Sequence, residues 1–184
     1  MTYRAVLFAT AMIVCGASQA QQAADVPSAV TALEPLLQRG DIVAPPMTNG
    51  FSAAPFAPAP PLTRIIVYAV GSSNCGWEYP SAGQLSTSCD HGGAQLRTAV
   101  LEIGYGGNPF VSMNGGQLPG SAQIGHTSVC ITGNQYTWPC TAGQTVAGWL
   151  NEYNLDGQQS GTFKYQNTSL NSPWNTIVTQ INIR

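Results

Sequence analysis

The chain contains 184 residues, only 8% of which are Asp, Glu, Lys or Arg, and it carries a formal net charge of −2. This length suits a single domain, since domains usually contain about 100 to 200 residues. The charged fraction is far below the roughly 25% of ordinary soluble proteins, and no basic field is available to attract nucleic acid. We therefore expect one domain with a neutral polar surface and no nucleic-acid partner.

The N-terminus has the pattern of a cleaved signal peptide. Arg4 is followed by an apolar run over 5–17 and by small residues that allow cleavage after Ala20. This run is shorter than the roughly twenty residues that span a bilayer. We therefore predict a signal peptide at 1–20, no membrane span in the mature protein, and a secreted or periplasmic location. Acylation of Cys15 is the weaker alternative, because a bulky pair precedes it instead of a small residue.

Residues 21–62 are predicted to form a largely irregular tether rich in Pro and Ala. Pro35 interrupts the helix-forming residues of 28–39, and six prolines between 45 and 61 favour extended chain. A single β-rich domain is then expected to occupy 63–184.

Hydrophobic patterns predict several strands in this domain. Residues 64–70 are apolar on both alternating faces, which indicates a strand buried on both sides. Asn114-Gly115 lies between apolar runs and predicts a hairpin over 110–118. A second hairpin is predicted within 145–165, where Asp156-Gly157 would form the turn.

The segment at 94–103 is ambiguous. Leu96, Ala99, Val100 and Ile103 have helical spacing, but the β-branched residues also suit a strand, and we slightly favour a short helix. Alternation over the last eight residues predicts a half-exposed final strand. Together these patterns predict a mainly β, disulfide-stabilised, β-sandwich-like domain with one short helix at about 94–103.

Cysteine usage agrees with export. Cys15 lies in the predicted signal peptide, so the mature chain keeps four cysteines, an even number that indicates disulfides in an oxidising compartment. Four cysteines allow three connectivities. We predict the pairs Cys75–Cys89 and Cys130–Cys140, because these close the shortest loops and lie in Gly-rich segments.

Asp90 and His91 form the most suggestive cluster of reactive side chains. They follow Cys89 in a Gly-rich turn, and a structural turn is the favoured interpretation. A metal site here is the alternative, but Cys-x-x-Cys spacing is absent, so we predict neither a metal nor another cofactor. A hydrolase that combines this pair with Glu78 or Glu102 is a further alternative.

Aromatic side chains in the two cysteine loops are candidates for ligand binding. Trp77 and Tyr79 lie in the first loop, and Trp138 lies in the second. Exposed aromatic rings can stack on a sugar or anchor a protein partner. Together with Asp90 and His91 they form our candidate site, although packing against a disulfide is the simpler role for each ring.

Seven short segments carry a resemblance to a known family: Ala57–Leu62, Val67–Val70, Gly76–Pro80, Asp90–Gly93, Gly104–Gly106, Ser160–Tyr165 and Asn171–Thr176. Together they resemble the YolA-like family of small secreted bacterial proteins over about residues 57 to 184. The resemblance implies a secreted domain of unknown function without an established enzyme activity or ligand. It therefore assigns no functional residue to this chain.

These observations favour a secreted, non-enzymatic β domain that binds an extracellular glycan or protein through the disulfide loops. The first alternative is a small secreted hydrolase that uses Asp90 and His91. The second is a secreted antagonist or toxin that acts on other cells, for which size, export and disulfides are the only support.

Overall fold

Two antiparallel sheets face each other in the computed structural model, which describes residues 36–44 and 59–184. The six-stranded sheet has the order β2-β1-β3-β8-β6-β7, and the four-stranded sheet has the order β10-β9-β4-β5. The predicted mainly β, sandwich-like fold is confirmed. The strands are β1 Arg64–Ser72, β2 Gly76–Glu78, β3 Leu96–Ile103, β4 Phe110–Met113, β5 Gly116–Gln117, β6 Gln123–Thr132, β7 Gln135–Thr137, β8 Val146–Asn154, β9 Gly161–Thr168 and β10 Thr176–Ile183, and a 3-10 turn occupies Gly120–Ala122.

The main core lies between the two sheets. Period-two alternation places one set of side chains from each strand on the face that points to the other sheet, which we call the inner face. Leu96 and Val100 of β3 meet Phe163 of β9 and Ile181 of β10 there, and all four are fully buried. The final strand predicted from alternation is confirmed as β10.

The helix predicted at 94–103 is wrong, because Leu96–Ile103 forms strand β3. Leu96 and Val100 point to the inner face, while Ala99 and Leu101 pack on the opposite, outer face. A strand that is buried on both faces carries apolar residues at almost every position, so it also matches the helical spacing.

One predicted hairpin is confirmed and the other is wrong. Asn114 and Gly115 join β4 to β5 with positive φ angles of 53° and 80°, as a tight hairpin requires. The turn at Asp156-Gly157 instead takes the chain from one sheet to the other, because β8 pairs with β3 and β6 while β9 pairs with β4 and β10. A carboxylate oxygen of Asp156 accepts from the amide of Leu96 at 3.0 Å and so ties this turn to β3.

A second core covers the outer face of the six-stranded sheet. Residues 36–44, here called the strap, lie across this face, and Ile42 and Ala44 are buried against it. The amide of Ala44 donates to the carbonyl of Asn134 at 2.9 Å. The strap is part of the predicted tether, whose other residues up to 58 lie outside the described residues, as does the predicted signal peptide.

Both predicted disulfides are present. Cys75 and Cys89 are 6.3 Å apart at Cα, and Cys130 and Cys140 are 5.4 Å apart. Cys89 is therefore unable to serve as the metal ligand considered above. Across the described ranges, we find no helix with the length and apolar character needed to cross a membrane.

Candidate functional site

The structure separates Asp90 from His91. Asp90 is exposed, and one of its carboxylate oxygens accepts from the amide of Gly92 at 3.2 Å, which is a turn contact. His91 has no exposed surface. The two side chains therefore do not form a joint acid and base pair in a cleft.

His91 instead lies between Ser72 and Glu78. Its Nδ1 is 3.1 Å from the hydroxyl of Ser72, and its Nε2 is 3.2 Å from a carboxylate oxygen of Glu78. This order of hydroxyl, imidazole and carboxylate is that of a hydrolase triad, but Ser72 is as completely buried as His91. A substrate has no access to the hydroxyl, so the network acts as a structural element.

Glu78 holds the loop that Cys75 and Cys89 close. Its carboxylate accepts from the amides of Ser88 at 2.7 Å and Cys89 at 2.9 Å, and from the side-chain amide of Gln84 at 2.9 Å. Burial alone would raise the pKa of Glu78, but these hydrogen bonds and the one with His91 together lower it. The carboxylate is thus fully engaged within the loop.

The predicted aromatic candidates pack on the outer face. Tyr79 and Trp138 each make an edge contact with the buried ring of Tyr68, at centroid distances of 5.7 and 5.2 Å. Trp77 is partly buried and packs over Gly71, where an added Cβ would come within 2.6 Å of the indole. These rings form a joint surface with the strap, and a role for them in binding a ligand remains a prediction.

A cleft at the opposite end of β3 from Ser72 brings together a different set of residues. It has a volume of about 700 Å³ and lies between the inner face of the six-stranded sheet, strand β9 and the loop at 104–109. We call it the Glu102 cleft. Its principal side chains come from β3, the following loop, β6, β8 and β9, and they are Glu102, Tyr105, His126, Trp149, Asn151 and Tyr165.

Glu102 is buried, with 4% of its surface exposed, and its partners are uncharged. The side-chain amide of Asn167 donates to one carboxylate oxygen at 2.7 Å, and that of Asn151 donates to the other at 3.4 Å. Burial raises the pKa of Glu102, and the hydrogen bonds from Asn167, Tyr165 and Asn151 offset this only in part. The cleft therefore contains an acid that is easier to protonate than an exposed glutamate.

Asn151 connects Glu102 to His126. Its side-chain oxygen lies 2.6 Å from Nδ1 of His126 and also accepts from Gln123 at 3.1 Å. Because an amide oxygen only accepts, Nδ1 of a neutral His126 carries the proton and Nε2 keeps its lone pair. The neutral form of the ring therefore offers an acceptor at Nε2.

Aromatic rings form one side of the cleft. The imidazole of His126 stacks on the indole of Trp149 at a centroid distance of 4.3 Å and an interplanar angle of 12°. Tyr105 contacts the same indole edge-on at 6.2 Å. The stacked pair gives the cleft a flat wall beside its polar floor.

Glycines make room for this arrangement. Gly148 of β8 lies so near β3 that an added Cβ would be 2.0 Å from the carbonyl oxygen of Glu102, and a Cβ on Gly106 would be 2.3 Å from the side chain of Asn167. Gly104 has a φ of 92°, and a Cβ added there would be 2.0 Å from the carbonyl oxygen of Pro61. Glycine at this position therefore allows the chain to turn into the loop at 104–109.

Glu102 is predicted from the sequence only as a possible partner of Asp90 and His91, and its assembly with His126, Trp149, Asn151 and Tyr165 is not predicted. The available signal was the polar side chains at inward positions of otherwise apolar strands. Asn151, for example, takes an inward place in β8 between inward-facing Trp149 and Tyr153. Polar residues at such positions cost free energy unless they are hydrogen-bonded, so they are good markers of a site.

The raised pKa of Glu102 predicts a pH-dependent effect of Glu102→Gln. A carboxyl whose pKa is higher in the folded state contributes stability that is complete below its unfolded pKa and lost as pH rises through the folded pKa. The variant should therefore gain melting temperature relative to the wild type as pH rises from about 4 to about 7. Parallel thermal unfolding tests this, and groups shared by both proteins, such as Glu78, cancel in the difference. A difference that is constant with pH would contradict the assignment.

Comparisons with known proteins give a family but no activity. A search of curated proteins finds no match. The family described as "Domain of unknown function (DUF4879)" matches residues 57–183, which is well over half of the chain and includes every residue that we assign to the Glu102 cleft. The finer resemblance to YolA-like proteins remains a prediction. The chain belongs to the DUF4879 family, whose function is unknown.

Proposed function

We propose that this protein is an exported, disulfide-bonded β domain that binds a neutral, hydroxyl-rich glycan in the Glu102 cleft. One combination of features carries the proposal. The buried carboxyl of Glu102, which accepts hydrogen bonds from side-chain amides, forms the floor of the cleft, and the stacked rings of His126 and Trp149 form its wall. Sugar hydroxyls pair with such polar groups, and the apolar face of a sugar ring packs on aromatic rings.

Charge favours an uncharged ligand. Among the described residues that line the cleft, Glu102 is the one carboxylate, and there is neither a Lys nor an Arg. An anionic ligand would find no cation to pair with, and its own charge would meet the carboxylate of Glu102 in a partly dry site. Neutral hydroxyl groups can both donate to Glu102 and accept from the side chains around it.

Binding is favoured over glycoside hydrolysis. That reaction generally uses two carboxylates on either side of the scissile bond, and Glu102 has no second carboxylate opposite it among the described lining residues. The hydrolase hypothesis based on Asp90 and His91 receives no support from the burial of His91. Export is supported by the predicted signal peptide and by the two disulfides.

Trp149→Ala is expected to weaken glycan binding at least about tenfold, because it removes the stacked wall and the support of His126. Neutral oligosaccharides from an array would first identify a ligand, and calorimetry would then give affinities. Trp174→Ala is the matched control, since Trp174 is 63% exposed and is not among the residues that line the cleft.

Two outcomes would overturn the proposal. One is that no neutral oligosaccharide binds the folded wild-type protein. The other is that Trp138→Ala abolishes binding while Trp149→Ala leaves it unchanged, which would place the site in the aromatic loops.

A further inference from the structure

The strap is held across the outer face much as an extended peptide is held in a binding groove. The amide of Leu37 donates to the hydroxyl of Tyr79 at 2.8 Å, and its carbonyl accepts from the hydroxyl of Tyr68 at 2.6 Å. Further along, Gln38 donates from its side chain to the carbonyl of Trp138 at 2.8 Å. These contacts use the backbone and polar groups of the strap, while Leu37 as a residue is 68% exposed.

Arg39 places its guanidinium over two tyrosine rings. Its central carbon lies 5.6 Å from the ring centre of Tyr68 and 5.7 Å from that of Tyr79. The same group donates to the carbonyl of Pro80 at 3.2 Å. The Arg39 side chain is only 14% exposed, and Asp41 of the strap pairs with it. The aromatic rings and the carbonyl oxygen together favour a planar cation.

The groove and its occupant belong to different parts of the chain. Tyr68, Tyr79 and Trp138 lie within the DUF4879 match at 57–183, whereas the strap lies before it. The strap adds no strand to either sheet, and its ladder contact is the single bridge between Val43 and Gln135. The domain therefore supplies a complete aromatic surface, and the strap fills it from outside.

We propose that the outer face of the six-stranded sheet is a docking site for an extended peptide that contains an arginine, and that the strap occupies this site in cis as a competitor. The arginine lies over the rings of Tyr68 and Tyr79, and the backbone of the residue two positions before it bonds to the two tyrosine hydroxyls. The site lies on the opposite face of the sheet from Glu102, so peptide docking and glycan binding are separate properties.

The test uses the full chain and an acetylated, fluorescent peptide with the sequence of residues 36–44. In the wild-type chain the strap competes, whereas in Arg39→Ala the arginine position is empty and the strap is held less firmly. We expect the peptide to bind Arg39→Ala at least about tenfold more tightly than the wild type in fluorescence anisotropy. A peptide with alanine in place of its arginine is expected not to bind.

A second variant tests the same idea from the other end of the strap. Ile42→Ala loosens the strap where Ile42 is buried while Arg39 and both tyrosines are retained, and it is also expected to increase peptide binding. Adding Tyr79→Ala to Arg39→Ala should remove the gain. Three outcomes would overturn the proposal. In the first, the peptide binds the wild type as tightly as both loosened variants. In the second, it binds none of the three proteins, and in the third, the arginine-free peptide binds as tightly as the original peptide.

Discussion

Replacing Cys75 and Cys89 together with alanine is expected to lower the free energy of unfolding by about 3 kcal/mol. The bond closes a loop with a sequence separation of 14, and the unbridged unfolded chain gains the corresponding conformational freedom. Within this loop the amides of Ser88 and Cys89 donate to the carboxylate of Glu78. The closed loop keeps these donors aligned with the carboxylate. Urea unfolding followed by tryptophan fluorescence measures the change.

The double replacement of Cys130 and Cys140 is the matched control. That bond has a sequence separation of 10 and joins β6 to the chain just after β7, two strands that are already paired by backbone hydrogen bonds. We expect a smaller loss of stability there, because the ladder already restricts the loop. An equal or larger loss for this pair would contradict the role assigned to the Glu78 network.

Gly148→Ala is expected to cost about 3 kcal/mol of folding free energy, although it adds a single methyl group. The added Cβ would be 2.0 Å from the backbone carbonyl oxygen of Glu102, and backbone atoms in the middle of a sheet have little room to move. Gly148 pairs with Ile103 of β3 on one side and Val129 of β6 on the other. Any shift of β3 would also displace the Glu102 carboxylate.

Gly120→Ala provides the control for this prediction. A Cβ at Gly120 meets nothing within 4 Å, so the change should have little effect on unfolding. Chemical unfolding of both variants and of the wild type measures the change in the free energy of unfolding for each. Wild-type stability of Gly148→Ala would mean that β3 and β8 do not pair in the register described.

Local signals in the sequence were sufficient for several features of the fold. The hairpin at Asn114-Gly115 follows from backbone geometry that few residues adopt, and the alternation that predicted β10 reflects a strand with one face toward the core. The disulfide pairs followed from the shortest possible loops. Each of these features depends on residues that are near in sequence.

Features set by distant contacts were predicted less well. Leu96–Ile103 forms a strand because it is buried between two cores, and its own residues do not reveal that both of its faces are covered. The Asp156-Gly157 turn joins different sheets because the neighbours of β8 are β3 and β6. Strand pairing over such separations depends on the whole topology.

The same reason explains why the candidate site was only partly predicted. The aromatic residues of the cysteine loops do meet at one surface, but Tyr68, which contacts both Tyr79 and Trp138, comes from the strand at 64–70, for which only burial on both sides was predicted. The Glu102 cleft draws side chains from β3, β6, β8 and β9, and these become neighbours only when both sheets are formed.

The most direct test of the account is a nuclear magnetic resonance titration of the full chain with a neutral oligosaccharide identified by array. The four tryptophan indole N–H groups give separate reporters, and Trp149 is the one that lines the Glu102 cleft. We predict that the Trp149 signal shifts on titration while those of Trp77 and Trp138 stay in place. Shifts of Trp77 and Trp138 with an unchanged Trp149 signal would contradict the assignment of the cleft as the binding site.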